Sequence, residues 1–201
     1  MTENKQVVQG VRTGGRSARV RAAVLDATLA ELAESGYAAL TVDNVARRAG
    51  VNKTTVYRRW TDRESLVADA LTEWASADIP IPDTGDLEGD LRALATSMAS
   101  VLDTPIGRAV VATLVSVGNP GLVGVKRRFF GERHRAATPI VERAVARGEL
   151  PPEVDPAAVI VTLRAPLYDR ILLGDGVVDE ALVERAVRIA VAAARSGALD
   201  R

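Results

Sequence analysis

The chain has 201 residues, 47% of them apolar, 26% charged and only 3% aromatic, and its 26 Lys and Arg balance 26 Asp and Glu. That length is long for one helical domain and suits a small module joined to a larger one. There is no cysteine, which excludes disulfides, thiolate chemistry and cysteine-based metal sites, and no apolar run approaches the roughly 20 residues that a membrane span needs.

In chain order, residues 1–17 are poor in apolar side chains and broken by Gly10, Gly14 and Gly15, so a flexible arm is expected there. Arg12, Arg16, Arg19 and Arg21 lead from it into a first helix over about 18–35, with Ala22, Leu25, Leu29 and Leu32 as inward stripe and Gly36 as its stop. Thr41 is an N-cap candidate for a short second helix in which Val42, Val45, Ala46 and Ala49 share one face. Gly50 can leave that helix at positive φ with Val51 as the apolar plug behind it, and Asn52 can cap a third helix over 53–60. Val56 and Trp60 point inward from that helix. Its other face carries Lys53, Thr54, Thr55, Tyr57, Arg58 and Arg59, while Arg47 and Arg48 belong to the wet side of the helix before it. A short helix that is apolar behind and basic, hydroxylic and aromatic in front suits the DNA major groove, and the pair reads as a helix-turn-helix.

The charge distribution agrees. Residues 1–63 hold 11 Lys and Arg against 6 Asp and Glu, a net of +5, and the remainder is correspondingly acidic. A fourth helix over 62–77 places Leu66, Ala70 and Trp74 four apart, and the prolines and glycine of 79–85 rule out its continuation. The domain boundary is set there, giving a DNA-binding domain over 18–78 and a second domain over 86–201. The arm has two open readings, a disordered tail or a segment that grips DNA backbone or minor groove.

This stretch closely resembles the TetR family of bacterial transcriptional regulators over residues 20–71. The matching residues are Gly36-Tyr37, Thr41, Val45-Ala46, Ala49-Gly50-Val51, Tyr57, Trp60, Arg63 and Leu66. Thr54 departs from a frequent glycine, Arg59-Trp60 from His-Phe and Leu32 from an aromatic. The first departure falls on the presumed groove face, so no operator sequence transfers from relatives. On this basis Thr41, Lys53, Tyr57 and Arg63 are expected to hold phosphates, and Thr54, Thr55 and Arg58 to approach base edges. The resemblance also implies that the C-terminal helical domain binds a small molecule that alters the spacing of two reading heads.

Beyond residue 86 the pattern predicts helices over 87–102, 106–117 and 122–148, the last interrupted near Pro139, then 156–173 and 179–196. No period-2 alternation is long enough for a sheet, so the fold class is all-α: an N-terminal three-helix helix-turn-helix domain followed by a C-terminal helical ligand-binding and dimerisation domain. The last two helices are apolar over wide arcs, and Val159, Leu163, Leu167, Val183, Val187 and Val191 are the candidate seam of a homodimer on a palindromic operator in double-stranded DNA. A fully buried central helix in a monomer is the alternative.

Trp74, Met98, Leu102, Phe129, Phe130 and Tyr168 are candidates to enclose an apolar ligand, with Arg164 as a cation in an otherwise apolar helix that Pro166 should kink. The plainer reading makes the aromatics core and pairs Arg164 with an acid. His134, flanked by Arg133 and Arg135, is expected at the surface. Enzyme chemistry fails on inventory, for there is one histidine, no Gly-rich phosphate loop and no Gly-x-Ser-x-Gly elbow, and neither metal nor cofactor is expected. The expected protein is a cytoplasmic repressor, without membrane association, released by a small effector. The alternative is an architectural or regulatory DNA-binding protein with no effector.

Overall fold

The computed structural model describes residues 14–116, 119–173 and 177–201. Most of the expected arm, residues 1–13, lies outside the described residues, as do Val117 and Gly118, where one helix was expected to stop. Among the described residues there are nine α-helices and no strand: α1 (Gly14–Ala39), α2 (Val42–Arg48), α3 (Lys53–Tyr57), α4 (Arg63–Asp78), α5 (Leu87–Leu102), α6 (Pro105–Val115), α7 (Gly121–Ala146), α8 (Pro156–Leu173) and α9 (Glu180–Arg195). None is long and apolar enough to cross a membrane by itself.

The helix starts follow from local chemistry. Thr41, Asn52, Asp62, Asp86, Thr104 and Asp179 each accept a first-turn N–H on their side chain, satisfying donors that a helix terminus leaves without partners. At Asp62 the cap is reciprocal, because the Ser65 hydroxyl reaches back to the Asp62 backbone. α1 starts earlier than the sequence pattern suggested, and Gly36 breaks it at φ 73 before a last short turn. α3 ends at Tyr57, with Arg58 as its cap and Trp60 N–H bonded to the Val56 carbonyl at 3.0 Å.

The expected interruption near Pro139 does not occur, and α7 runs through it. Proline removes one intrahelical bond, but Ala137, Ile140, Val141 and Ala144 around it are all fully buried, and that packing holds the helix in register. α5 and α6 meet at 98°. The corner is tight at Gly107, where an added Cβ would lie 2.2 Å from the Val101 carbonyl oxygen.

Helices α1 to α4 form the N-terminal head and α5 to α9 the body. α1 packs on α2, α4 and α6, α4 packs on α7, and α9 packs on both α5 and α8. Buried residues from Val24 to Ala194 belong to a single apolar cluster, so the core passes from head to body without a break.

The segment between α4 and α5 is pinned by Asp90, which is fully buried. Its carboxylate accepts the Thr84 N–H at 2.6 Å, the Thr84 hydroxyl at 2.9 Å and the Arg143 guanidinium at 3.2 Å. Burial alone would raise the Asp90 pKa, but these donors outweigh it and hold the carboxyl below its usual range. A carboxyl depressed in the folded state contributes stability above its unfolded pKa and loses it as pH falls through the folded value. Asp90→Asn is therefore expected to destabilise the fold by about 1.5–3 kcal/mol at pH 7, read as a lower urea midpoint. The difference from wild type should shrink as the solution is acidified below the usual carboxylate range. Equal midpoints at pH 7 would contradict this role.

Candidate nucleic-acid interface and body cavity

The turn between α2 and α3 is built from Gly50 at φ 66, with the Gly50 N–H on the Arg47 carbonyl at 3.2 Å and the Val51 N–H on the Ala46 carbonyl at 3.0 Å. These bonds end α2 and turn the chain so that Val51 packs inward. Asn52 then accepts the Thr54 N–H and the Thr54 hydroxyl, both at 2.9 Å, opening α3. Behind α3, Val56 and Trp60 are buried, and the Trp60 indole N–H donates to Asp69 on α4 at 2.9 Å. A helix of five residues is held by its neighbours, and this tryptophan is its anchor.

In front, Lys53, Thr54, Tyr57, Arg58 and Arg59 are exposed and Thr55 is half-buried. Tyr57 stands 51% exposed, an unusual position for a large ring with no partner face. Lys53 lies 3.5 Å from Asp43 in a pair open to solvent, and Thr41 is exposed while its oxygen caps α2. Arg63 differs from the other six candidates for DNA contact. Its guanidinium sits 4.4 Å over the Tyr37 ring, donates to Glu64 at 3.1 Å and reaches the Leu40 carbonyl at 3.4 Å. It braces α1 against α4, with its charge already answered by Glu64. Tyr37, pushed up to about 12 by burial and by the hydrogen bond it donates to Glu64, stays protonated in this brace.

Arg48 is exposed, as expected, and also ties α2 to α1 by donating to Glu31 at 2.7 Å and pairing with Glu34. Two arginines that the sequence reading left in the arm and first helix, Arg16 and Arg19, line an open cleft with Asn52, Thr55, Arg58 and Arg59. Arg59 donates to the Ser17 carbonyl and hydroxyl and so fixes the start of α1 against the end of α3. The early start of α1 is what brings these residues together.

In the body, Ile79 at the end of α4 and the middle stretches of α5, α7 and α8 line a cavity of about 30 Å³. Met98, Phe129, Phe130, Arg164 and Tyr168 line it; Trp74 and Leu102 are buried in the core but do not. Arg133 and His134 line it as well, so His134 is not the surface residue expected. Phe130, Arg133, His134 and Ala137 share one face of α7 at helical spacing, a signal that the charged neighbours of His134 obscured. Nor, among the described residues, is Arg164 paired with an acid: it lies 4.3 Å over the Phe130 ring and 5.4 Å from that of Tyr168.

The six expected seam residues are core residues of one chain. Val159, Leu163, Leu167 and Val187 are fully buried, Val183 is 4% exposed and Val191 7%. A side chain already packed between α8 and α9 has no area left for a partner. The wide apolar arcs of these helices are filled by α5, α7 and each other. The apolar residues left outward include Val161 and Leu173 on α8, at 38% and 83% exposure, and Ile189 on α9 at 50%, with Ala165, Leu172, Ala181 and Ala192.

Two capped helices set by a glycine turn, a basic reading face and a helical body define the class, a helix-turn-helix DNA-binding regulator. Residues 24–70 match the model described as bacterial regulatory proteins of the tetR family, and residues 81–190 match a tetracycline repressor-like C-terminal domain. The chain is 41% identical over 155 residues to the HTH-type transcriptional regulator AqdR of Rhodococcus erythropolis, covering 77% of this chain and 75% of that protein. It is 31% identical over 176 residues to the DNA-binding transcriptional repressor TetR of Mycobacteroides abscessus, covering 83% and 88% respectively. The solved TetR-family transcription regulator SCO0332 superposes with a TM-score of 0.71 at 30% identity, over 87% of this chain and 97% of that one. This chain belongs to the TetR family and is a DNA-binding transcriptional regulator, not an enzyme.

The dependence of α3 on its cap is open to test. Asn52→Ala should lower stability by about 0.5–2 kcal/mol, seen in the thermal midpoint, and should weaken binding to every DNA sequence alike. Unchanged stability would mean that packing alone holds α3.

Proposed function

We propose that the chain is a homodimeric repressor that grips a palindromic operator through α3 and is released by a small, mostly apolar ligand taken up in the body. The observation that carries the DNA half is the exposed face of Lys53, Thr54, Tyr57 and Arg58 on a helix anchored from behind by Val56 and Trp60. Thr41, Lys53 and Tyr57 hold phosphates, and Thr54, Thr55 and Arg58 approach base edges. Arg63 acts behind them as a brace. The name of the mycobacterial relative supports repression over activation. Such a protein works in the cytoplasm, where the DNA is.

The dimer face in this reading is the outward side of α8 and α9 around Val161 and Ile189. A two-fold axis there doubles a weak half-site contact and requires operator symmetry. A regulator without an effector is the second reading, favoured by the body cavity, which at about 30 Å³ holds a water or two and no ligand without side-chain displacement. A mobility shift insensitive to a broad panel of metabolites would select that reading.

Titration of labelled DNA separates the roles on α3. Lys53→Ala should weaken binding to all sequences and reduce the salt slope by about one. Arg58→Ala should cost about 1–3 kcal/mol on the preferred site and relax preference at one base position. An Arg58→Ala protein with unaltered affinity and preference would remove Arg58 from the reading face.

Val161→Glu with Ile189→Glu tests assembly without touching the core. The double variant should keep its helical content yet sediment as a monomer, because an unpaired carboxylate is disfavoured in an apolar seam. Operator affinity should fall with it. A dimer that survives both charges would move the interface elsewhere.

A further inference from the structure

The body cavity is apolar except for Arg133, His134, Arg164 and the Tyr168 hydroxyl, and among the described residues no acid is hydrogen-bonded to any of the four. Arg133 donates to the carbonyls of Ala75 and Ile79, both at 3.0 Å, at the C-terminal end of α4. Burial lowers its pKa, yet a guanidinium keeps its proton in a protein. Arg164 lies against the Phe130 and Tyr168 rings, and its Nε–H is buried without an acceptor. His134 Nε2 is likewise buried without a partner. Burial and the nearby Arg164 charge depress His134, outweighing an opposing pull from Asp155, so the imidazole is neutral at neutral pH. Tyr168 supplies no counter-charge, since burial raises its phenol despite Arg164 beside it.

Two guanidinium ions thus face one small space with no carboxylate paired to either among the described residues. Even a half-buried cation without a counter-charge loses part of its hydration, and an anion placed there recovers that loss. The remaining walls, Leu94, Met98, Phe129, Ala137 and Ile160, accept only an apolar body.

Resting on the reading of this chain as a ligand-released repressor, we propose that the cavity is a site for an organic monoanion, a carboxylate or enolate head on an apolar body, anchored by Arg164 with Arg133 and His134 as its further partners. Arg164 offers a planar fork that suits such a head, and His134 Nε2 completes its hydrogen bonds. Because the cavity is too small for the body of such a molecule, binding selects an enlarged state in which Met98 and the rings of Phe130 and Tyr168 have shifted. An anion that draws Arg133 toward itself withdraws it from the Ala75 and Ile79 carbonyls and so loosens the end of α4.

The test uses the full-length protein with two matched pairs, naphthalene-1-acetate against naphthalene-1-acetamide and octanoate against octanamide, at pH 7.5. Calorimetric titration reads binding, and release of a DNA site selected by the protein from a random pool reads function. At least one acid should bind 10-fold or more tighter than its amide. Arg164→Gln should bring that pair within about 2-fold, and Arg164→Lys should restore part of the preference. Equal binding of acid and amide to the wild-type protein overturns the anion site, as does no binding of either acid up to millimolar concentration. Those outcomes leave ligand release intact if any neutral compound frees the DNA. An acid that binds through Arg164 without changing DNA affinity upholds the site and removes the release reading instead.

Discussion

Arg133 and Arg128 of α7 hold α4 at two points, and α4 in turn holds the reading helix. Arg133 closes the C-terminal carbonyls of α4, the negative end of its dipole. Arg128 pairs with Asp69 in the middle of α4, and the same carboxylate accepts the indole N–H of Trp60 immediately after α3. Arg21 of α1 approaches Asp69 at 3.9 Å. Two separate sets of bonds from α7 to α4 thus connect the segment after α3 with the wall of the body cavity. A ligand shifts an equilibrium only through differential affinity for two states. In the proposed ligand-released reading that difference would come from enlargement of the small cavity and withdrawal of Arg133 from α4. Each tenfold change in DNA affinity requires about 1.4 kcal/mol of such preference, returned in equal measure by DNA on the ligand.

The head solves a charge problem that overall neutrality hides. Eleven basic residues lie in the first 63, and several are already answered: Arg48 by Glu31 and Glu34, Arg21 by Glu73, Arg63 by Glu64. These pairs join α1, α2 and α4, while Arg58 and Arg59 just after α3 and Arg16 and Arg19 at the start of α1 stay exposed. Lys53 with Asp43 is the exception, an exposed pair of little worth that a phosphate can replace.

What the sequence made legible was local. Thr41, Gly50 and Asn52 act within four residues of themselves, and the structure repeats their pattern of caps and turn. The misreadings all concern which side chains meet across the fold. Val187 and Leu163 looked like a seam because a helix apolar on two sides implies two partners; both partners proved to be in the same chain. His134 looked wet because its sequence neighbours are arginines, but on a helix the relevant neighbours are three and four away, at Phe130 and Ala137. Pro139 looked like a break because local chemistry favours one, and tertiary packing overrode it. Trp74 and Leu102 fell short of the cavity for the same reason: size and apolarity place a residue inside, but only topology says beside what.

The central claim, that the α3 face reads DNA as one half of a symmetric pair, is tested most directly by letting the full-length protein select from a random double-stranded DNA pool. The account predicts enrichment of one palindromic site, with two half-sites in inverted orientation. Recovery of no enriched sequence, or of a single unrepeated half-site, would contradict it.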